Sequence, residues 1–178
     1  IKTSALGVMR DGGYAEYCLV PEKQCFVVPD MIDDVLATQV ETLATVVNGM
    51  NHLLMLPYDY ALVIGYGPIG YLFAQFCKNI AVKTAVTEID PYRIEVAKKC
   101  GLTVWNPNEV DIPEMISEFT YGRKADIVIE ATGNGFEQAL KCVTPGGKVL
   151  PFGMDSSITA KVIPNEITRW ATKIIGLY

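Results

Sequence analysis

The sequence predicts an α/β domain built on a doubly wound, six-stranded parallel sheet, and three observations point there. Half of the 178 residues are hydrophobic, enough to bury a core on both faces of a sheet. From Tyr60 onward, short β-prone runs alternate with helical patterns, which is the signature of βαβ units. Several of those runs are continuously apolar, as parallel strands covered on both faces are.

The strand candidates are "YALVIG" at 60–65, "KTAVTEI" at 83–89, "LTVWN" at 102–106, "DIVIEA" at 126–131, "GKVLPFG" at 147–153 and "TKIIGLY" at 172–178. Helices are expected between them. Ile69, Leu72, Phe73 and Phe76 recur at helical spacing, so one apolar stripe can pack on the sheet. Pro91 suits the first turn of the next helix, which should stop at Gly101 after two lysines near its C-terminal end. Ile112, Met115, Ile116 and Phe119 repeat the stripe, with Pro113 tolerated only in a first turn. Phe136, Ala139, Leu140 and Val143 predict a fourth helix.

Residues 1–59 read differently. "RDGGYAEYCLVP" predicts a turn followed by an edge-type strand, and Pro21 and Pro29 bracket another short run. Asp33 and Asp34 are N-cap candidates for one long helix whose stripe is Leu36, Val40, Leu43, Val47, Met50 and Leu54, ending before Pro57. The chain opens on Ile1 and not on methionine, which suggests a piece of something larger.

Charge and cysteine usage exclude several classes of function. The net charge of −5 comes from mixed signs with no basic run, so no electrostatic footprint for nucleic acid or an anionic membrane is present. No apolar run reaches the roughly 20 residues a membrane helix needs, and no secretory signal layout opens the chain. Cys18, Cys25, Cys77, Cys100 and Cys142 form no CxxC pair, which predicts reduced thiols in a soluble, cytoplasmic protein.

The most informative stretch is "VIGYGPIG" at 63–70. Gly65, Gly67 and Gly70 form G-x-G-x-x-G at a strand-to-helix junction, with Pro68 and Ile69 completing the turn. The first glycine permits the tight bend, the second lets backbone approach a pyrophosphate, and the third lets the helix pack closely on the strand. Unpaired N–H groups and the positive end of the helix dipole then offset the phosphate charge. No lysine occupies the turn, which argues against a nucleoside triphosphate loop.

Glu88 ends the second strand candidate, about 20 residues beyond the glycines, where a carboxylate accepts the hydroxyls of an adenosine ribose. It would repel a 2′-phosphate, so NAD is expected over NADP. Asp90 is the rival for that role, and Arg93 is expected to pack on the adenine ribose. Thr132 in "EATGN" and Gly153 and Met154 in "FGMD" follow the fourth and fifth strands, where the far half of the cofactor should lie. The alternative at each place is ordinary loop chemistry. The lone histidine, His52, is expected to satisfy itself by a local hydrogen bond.

Three stretches together resemble the medium-chain dehydrogenase/reductase family, the zinc-type alcohol and polyol dehydrogenases. "DGGYAEYCLVP" resembles a sheet segment of that family's catalytic domain, "VIGYGPIG" with "TEIDPYRIEVAKKCG" its cofactor fingerprint, and "EATG" with "LKCVTPGGKVLPFG" its fourth and fifth strands. The resemblance implies a Rossmann domain over residues 31–178, led by a helix, and a short remnant of a GroES-like β domain over residues 1–30. The family's cysteine and His-Glu zinc motifs and its four-cysteine zinc loop are missing from this sequence, so no catalytic residue is assigned.

"VETLATVVNG" is similar to the "EPL" segment of sorbitol and related polyol dehydrogenases, with Thr42 in place of proline. On that resemblance Glu41 is a zinc ligand in the intact enzyme, and Thr45 faces the nicotinamide. One carboxylate alone cannot hold a four-coordinate zinc, so Glu41 reads equally as a solvated helix residue. The resemblance implies an NAD-dependent enzyme with zinc, acting on a small alcohol or polyol as a homodimer or homotetramer. "TKIIGLY" at the sheet edge is placed to pair with a twin. Two rivals are a zinc-free quinone or enoyl reductase using NADPH and a non-catalytic dinucleotide-sensing module.

Overall fold

The structure is a computed structural model, which describes residues 5–81 and 83–177. The chain divides into two compact units, Ile1–Gln39 and Val40–Tyr178.

In the first unit the described regular structure is a bridge between Leu6 and Arg10, a one-turn 3₁₀ helix at Glu22–Gln24, and the short helix α1, Asp34–Ala37. The edge strand expected in "YAEYCLV" does not form, since a strand exists only as part of a ladder and no partner strand lies beside it among the described residues. Asp33 does cap α1, its carboxylate accepting the Leu36 N–H at 2.7 Å. The single long helix expected after Asp33 is interrupted. The Thr38 hydroxyl donates back to the Val35 carbonyl at 2.7 Å and the Gln39 N–H to Leu36 at 3.0 Å, which tightens the turn and ends α1.

The second unit alternates helices and strands. Helix α2 spans Val40–Leu53, and β1 (Tyr60–Ile64) leads through α3 (Pro68–Ile80) to β2 (Lys83–Thr87). Next come α4 (Pro91–Lys99), β3 (Thr103–Trp105), α5 (Ile112–Phe119), β4 (Ala125–Glu130), α6 (Phe136–Cys142) and β5 (Val143–Pro151). Helix α7 (Pro164–Trp170) and β6 (Lys173–Ile174) close the order. All six strands are parallel, in the order β3-β2-β1-β4-β5-β6. The order reverses beside β1, and this places the crevice for a ligand at the carboxyl end of that strand.

Alternate residues of each strand feed opposite faces. Ala61 and Val63 join Phe73, Ala74 and Cys77 of α3 in one buried cluster, to which α2 adds Val46, Met50 and Leu53. Leu62 and Ile64 point the other way, into Ile112 and Ile116 of α5 and Ala139 and Cys142 of α6. Fully burying one such aliphatic side chain contributes roughly 1.5–3 kcal/mol. The caps at Asp90 and Asp111 accept the N–H groups of Arg93 at 2.9 Å and Glu114 at 2.8 Å, with Pro91 and Pro113 in the first turns as expected.

Several elements depart from the expected pattern. The buried face of α2 is Val46, Gly49, Met50 and Leu53, while Val40, Leu43 and Val47 of the expected stripe stay exposed. The helix is apolar on two sides, and the side that packs is the one on which Gly49 allows close approach. A Cβ there would stand 2.9 Å from the ring of Phe73. Val143 belongs to β5, not to the preceding helix, and the ladder to β4 shifts register between Ala125 and Ile127, where Pro145 could not donate. Helix α7 carries no buried residue and so left no apolar periodicity to read. Strand β6 is shorter than its candidate segment, whose last residue, Tyr178, lies outside the described residues. Lys148 of β5 donates to the carbonyls of Leu53 and Leu54 at the C-terminal end of α2.

Candidate dinucleotide site

Gly65 follows β1 with φ at +89°, a conformation that costs glycine nothing and an L-residue strain. Its N–H donates to the Thr87 carbonyl at 3.0 Å, so the turn is hung from β2 as well as from β1. A Cβ on Gly70 would lie 2.0 Å from the Gly65 carbonyl oxygen, which makes the third glycine obligatory for this approach of helix to turn. A Cβ on Gly67 would meet only the Arg93 guanidinium, at 3.5 Å. Gly67 is the N-cap of the 13-residue α3, no side chain caps it, and Pro68 occupies the first turn. Ile69 is half-buried against the core. The helix therefore presents its positive end beside a surface kept free of side chains, which is the cradle a pyrophosphate needs.

Glu88 closes the cradle from the β2 side. Its side chain is 6% exposed. Oε2 accepts the Tyr66 N–H from the glycine turn at 2.9 Å, and Oε1 accepts the N–H groups of Ile89 at 2.8 Å and Asp90 at 3.0 Å. Arg93 Nη1 lies 3.8 Å from Oε2. A carboxylate offers about four acceptor sites, so three backbone donors leave room for one more strong bond, on Oε2. Asp90 is occupied as the cap of α4. The Tyr66 ring is buried against Tyr71, and that burial, with the Cys100 side chain beside it, pushes its phenol well above the usual value.

Beyond β1 the loops after β4 and β5 come together. A Cβ on Gly65 would lie 2.5 Å from Thr132 Cγ2, and one on Gly153 would lie 2.0 Å from the Gly133 nitrogen. Gly65, Thr132 and Gly153 thus form one continuous floor, with Met154 86% exposed at its rim. Glu130, which the sequence reading passed over, underlies that floor. Its side chain is 1% exposed, and its Oε1 accepts the N–H groups of Thr132, Gly133 and Gly135 and the Thr132 hydroxyl. The signal was an acidic residue ending an otherwise apolar strand, followed by "TGNG".

Glu41 is exposed on α2, and the Thr45 hydroxyl donates to the Thr42 carbonyl of its own helix at 2.8 Å. His52 Nδ1 lies 2.9 Å from the Asn48 carbonyl oxygen, the local bond expected of it. A cavity of about 900 Å³ opens elsewhere, lined by Arg123, Lys141, Lys161, Ile163 and Trp170. It contains none of the strand-end residues, so volume and chemistry point to different places, and the chemistry decides.

The family model for zinc-binding dehydrogenases matches residues 68–178. This chain belongs to the zinc-binding dehydrogenase family. An L-threonine 3-dehydrogenase of Chromobacterium violaceum is 31% identical over 180 residues, covering 99% of this chain and 52% of the relative. A Sinorhizobium meliloti 1021 protein, named after the zinc-binding dehydrogenases and solved bound to NADP, superposes with a TM-score of 0.87 at 27% identity, over 97% of this chain and 52% of its own. An Escherichia coli CFT073 protein, named a short chain alcohol dehydrogenase and solved with NADH, gives 0.87 at 28% identity over the same shares, 97% and 52%. The chain spans about half the length of the curated relatives it matches.

The described residues of this chain do not fit the metal of the family name. Among the described residues no group of three or more His, Cys, Asp or Glu side chains is placed to hold an ion, and one exposed carboxylate cannot supply a four-coordinate site. No described helix is long and apolar enough to cross a membrane.

Proposed function

We propose that this chain is the NAD-binding portion of a zinc-dependent dehydrogenase that oxidises a secondary alcohol or a sugar alcohol, with zinc and substrate held by parts of the longer enzyme. The observation that carries the reading is the position of Glu88, buried between the glycine turn and β2 with one acceptor site left on Oε2. Gly67, Ile69 and Gly70 would meet the pyrophosphate at the start of α3, where Pro68 presets the backbone. Glu88 Oε2 would accept one hydroxyl of the adenosine ribose, and its charge would disfavour a 2′-phosphate in the same place. Arg93, half-exposed and 3.8 Å from that oxygen, would pack on the adenosine without cancelling the preference. Thr132, Gly153 and Met154 would border the nicotinamide half.

Bound NAD supplies the hydride acceptor. What the chain itself contributes is orientation, and alone it is expected to bind cofactor and turn over nothing. Residues 1–30 are assigned to the catalytic domain and Glu41 to the zinc site of the intact enzyme by family resemblance. The edge position of β6 fits pairing with a twin, which sedimentation of the intact enzyme would test.

A second reading of the cofactor, NADPH, is supported by the NADP bound in one structural relative, which is itself named after the zinc-binding dehydrogenases. Titration of the chain with NADH and NADPH separates the two. Tighter binding of NADH, by about tenfold or more, is expected from the like-charge contact of a 2′-phosphate with Glu88, which the half-exposed Arg93 offsets only in part. Equal or tighter binding of NADPH would overturn the assignment of Glu88.

A further inference from the structure

We propose that Glu130 is the positioning residue for the nicotinamide half of the cofactor site. The proposal rests on the dinucleotide reading above and concerns a residue that touches no cofactor itself. Its first support is the sheet order. Strand β1 ends in the glycine turn, with β2 and Glu88 on one side and β4 and β5 on the other. A dinucleotide with its ribose at Glu88 and its pyrophosphate on the turn must run its second half over the loops that follow β4 and β5.

Those loops carry few side chains that could hold them. Gly133 has φ at +88°, and the loop from Thr132 to Gly135 contains two glycines. Glu130 supplies the missing constraint through one side-chain oxygen and its backbone carbonyl. The side-chain Oε1 gathers the N–H groups of Thr132 at 2.7 Å, Gly133 at 2.9 Å and Gly135 at 3.3 Å, together with the Thr132 hydroxyl. The backbone carbonyl of the same residue accepts the N–H groups of Phe152 at 2.8 Å and Gly153 at 2.9 Å. One residue therefore sets the heights of both loops relative to β1.

The packing around it shows how little slack remains. A Cβ on Gly135 would stand 3.2 Å from Glu130 Oε1, and one on Gly153 would stand 2.7 Å from the Thr132 carbonyl carbon. Thr132 Cγ2 in turn fills the space a Gly65 side chain would take. A carboxylate holds N–H donors about twice as strongly as a neutral amide oxygen does, so the charge, not only the shape, fixes the loop. The adenosine half, held by Glu88 and the glycine turn, has no hydrogen bond to Glu130 among the described residues.

The test is calorimetric titration of the chain and its Glu130→Gln and Thr132→Val variants with NADH and with ADP-ribose, which lacks the nicotinamide. Glu130→Gln is expected to weaken NADH about tenfold while ADP-ribose stays within about twofold. Thr132→Val removes one of the four donors and should weaken NADH about threefold with the same split. A parallel loss for both ligands would reduce Glu130 to general scaffolding and overturn the proposal, as would no loss for either. If Glu130→Gln does not fold by circular dichroism, Thr132→Val decides on the same criterion. Failure of the unmodified chain to bind NADH would overturn the dinucleotide reading, and this proposal with it. Normal binding by the unmodified chain with unchanged variants would overturn this proposal alone.

Discussion

The two halves of the sheet are built on the same plan and differ in what their buried carboxylates do. In the β1 to β3 half, Glu88 reaches across to the Tyr66 N–H of another loop, is paired with Arg93, and keeps one acceptor site open. In the β4 to β6 half, Glu130 turns into the loop that follows it, and four donors of that loop converge on one oxygen, Oε1. Each half also buries one thiol, Cys77 in α3 and Cys142 at the end of α6. The difference teaches that a carboxylate bridging the glycine turn and the next strand is placed for a ligand, whereas one bound by its own turn is placed for shape.

The comparison breaks most easily at Glu130. Glu130→Ala empties a buried site and strips the acceptor from three N–H groups and a hydroxyl, and a loss of about 3 kcal/mol is expected in urea unfolding. Glu88→Ala should cost less, about 1–2 kcal/mol, because it strands three donors and not four. The reverse order would mean that the two glutamates are not specialised as described. Gly70→Ala comes next. Its Cβ would strike the Gly65 carbonyl at 2.0 Å, so about 2 kcal/mol of stability and most of the NADH binding should go together, read by thermal melts with and without cofactor.

How much of this was legible beforehand follows from the range of the interactions. The glycine turn was readable because its requirement is local: three positions without Cβ, and an acid at the end of the next strand. Glu130 was not, since a glutamate ending a strand looks like any exposed loop residue until the loop is seen to fold back over it. The α2 face was misread because Val40, Leu43 and Val47 keep helical spacing as faithfully as Val46, Gly49 and Leu53 do. Only the neighbour, Phe73, distinguishes them. The edge strand expected near Tyr14 failed for a related reason: β propensity is realised only against a partner.

The two buried thiols test whether both halves are equally dry. Burial pushes Cys77 and Cys142 each up to about 12, with Lys124 pulling weakly against the shift at Cys142. The folded state thus holds protons that the unfolded chain gives up. Their contribution to stability is complete below the ordinary thiol value near 9 and is lost as pH rises from there toward 12. A decline on the order of 1 kcal/mol per thiol is expected over the first unit of that window, and Cys77→Ala and Cys142→Ala should each remove a comparable share. At pH 8 a thiol reagent should modify exposed Cys18 and Cys25 and leave these two untouched until the chain unfolds.

The smallest effect is expected at Arg93. Its guanidinium is half in water and 3.8 Å from Glu88, so Arg93→Ala should change stability by about 0.5 kcal/mol or less. Any larger loss in NADH affinity would then report contact with the cofactor itself and sharpen the distinction between the halves.

Lys148 gives the sheet a mechanical property. Its ammonium, rooted in β5, grips the two carbonyls where α2 exits, so helix and strand are riveted across the domain without any covalent link. A push on α2 would thereby bear on the strand that ends at Pro151, two residues before Gly153. A dent on the outer helix would register as a tilt in the floor several turns away.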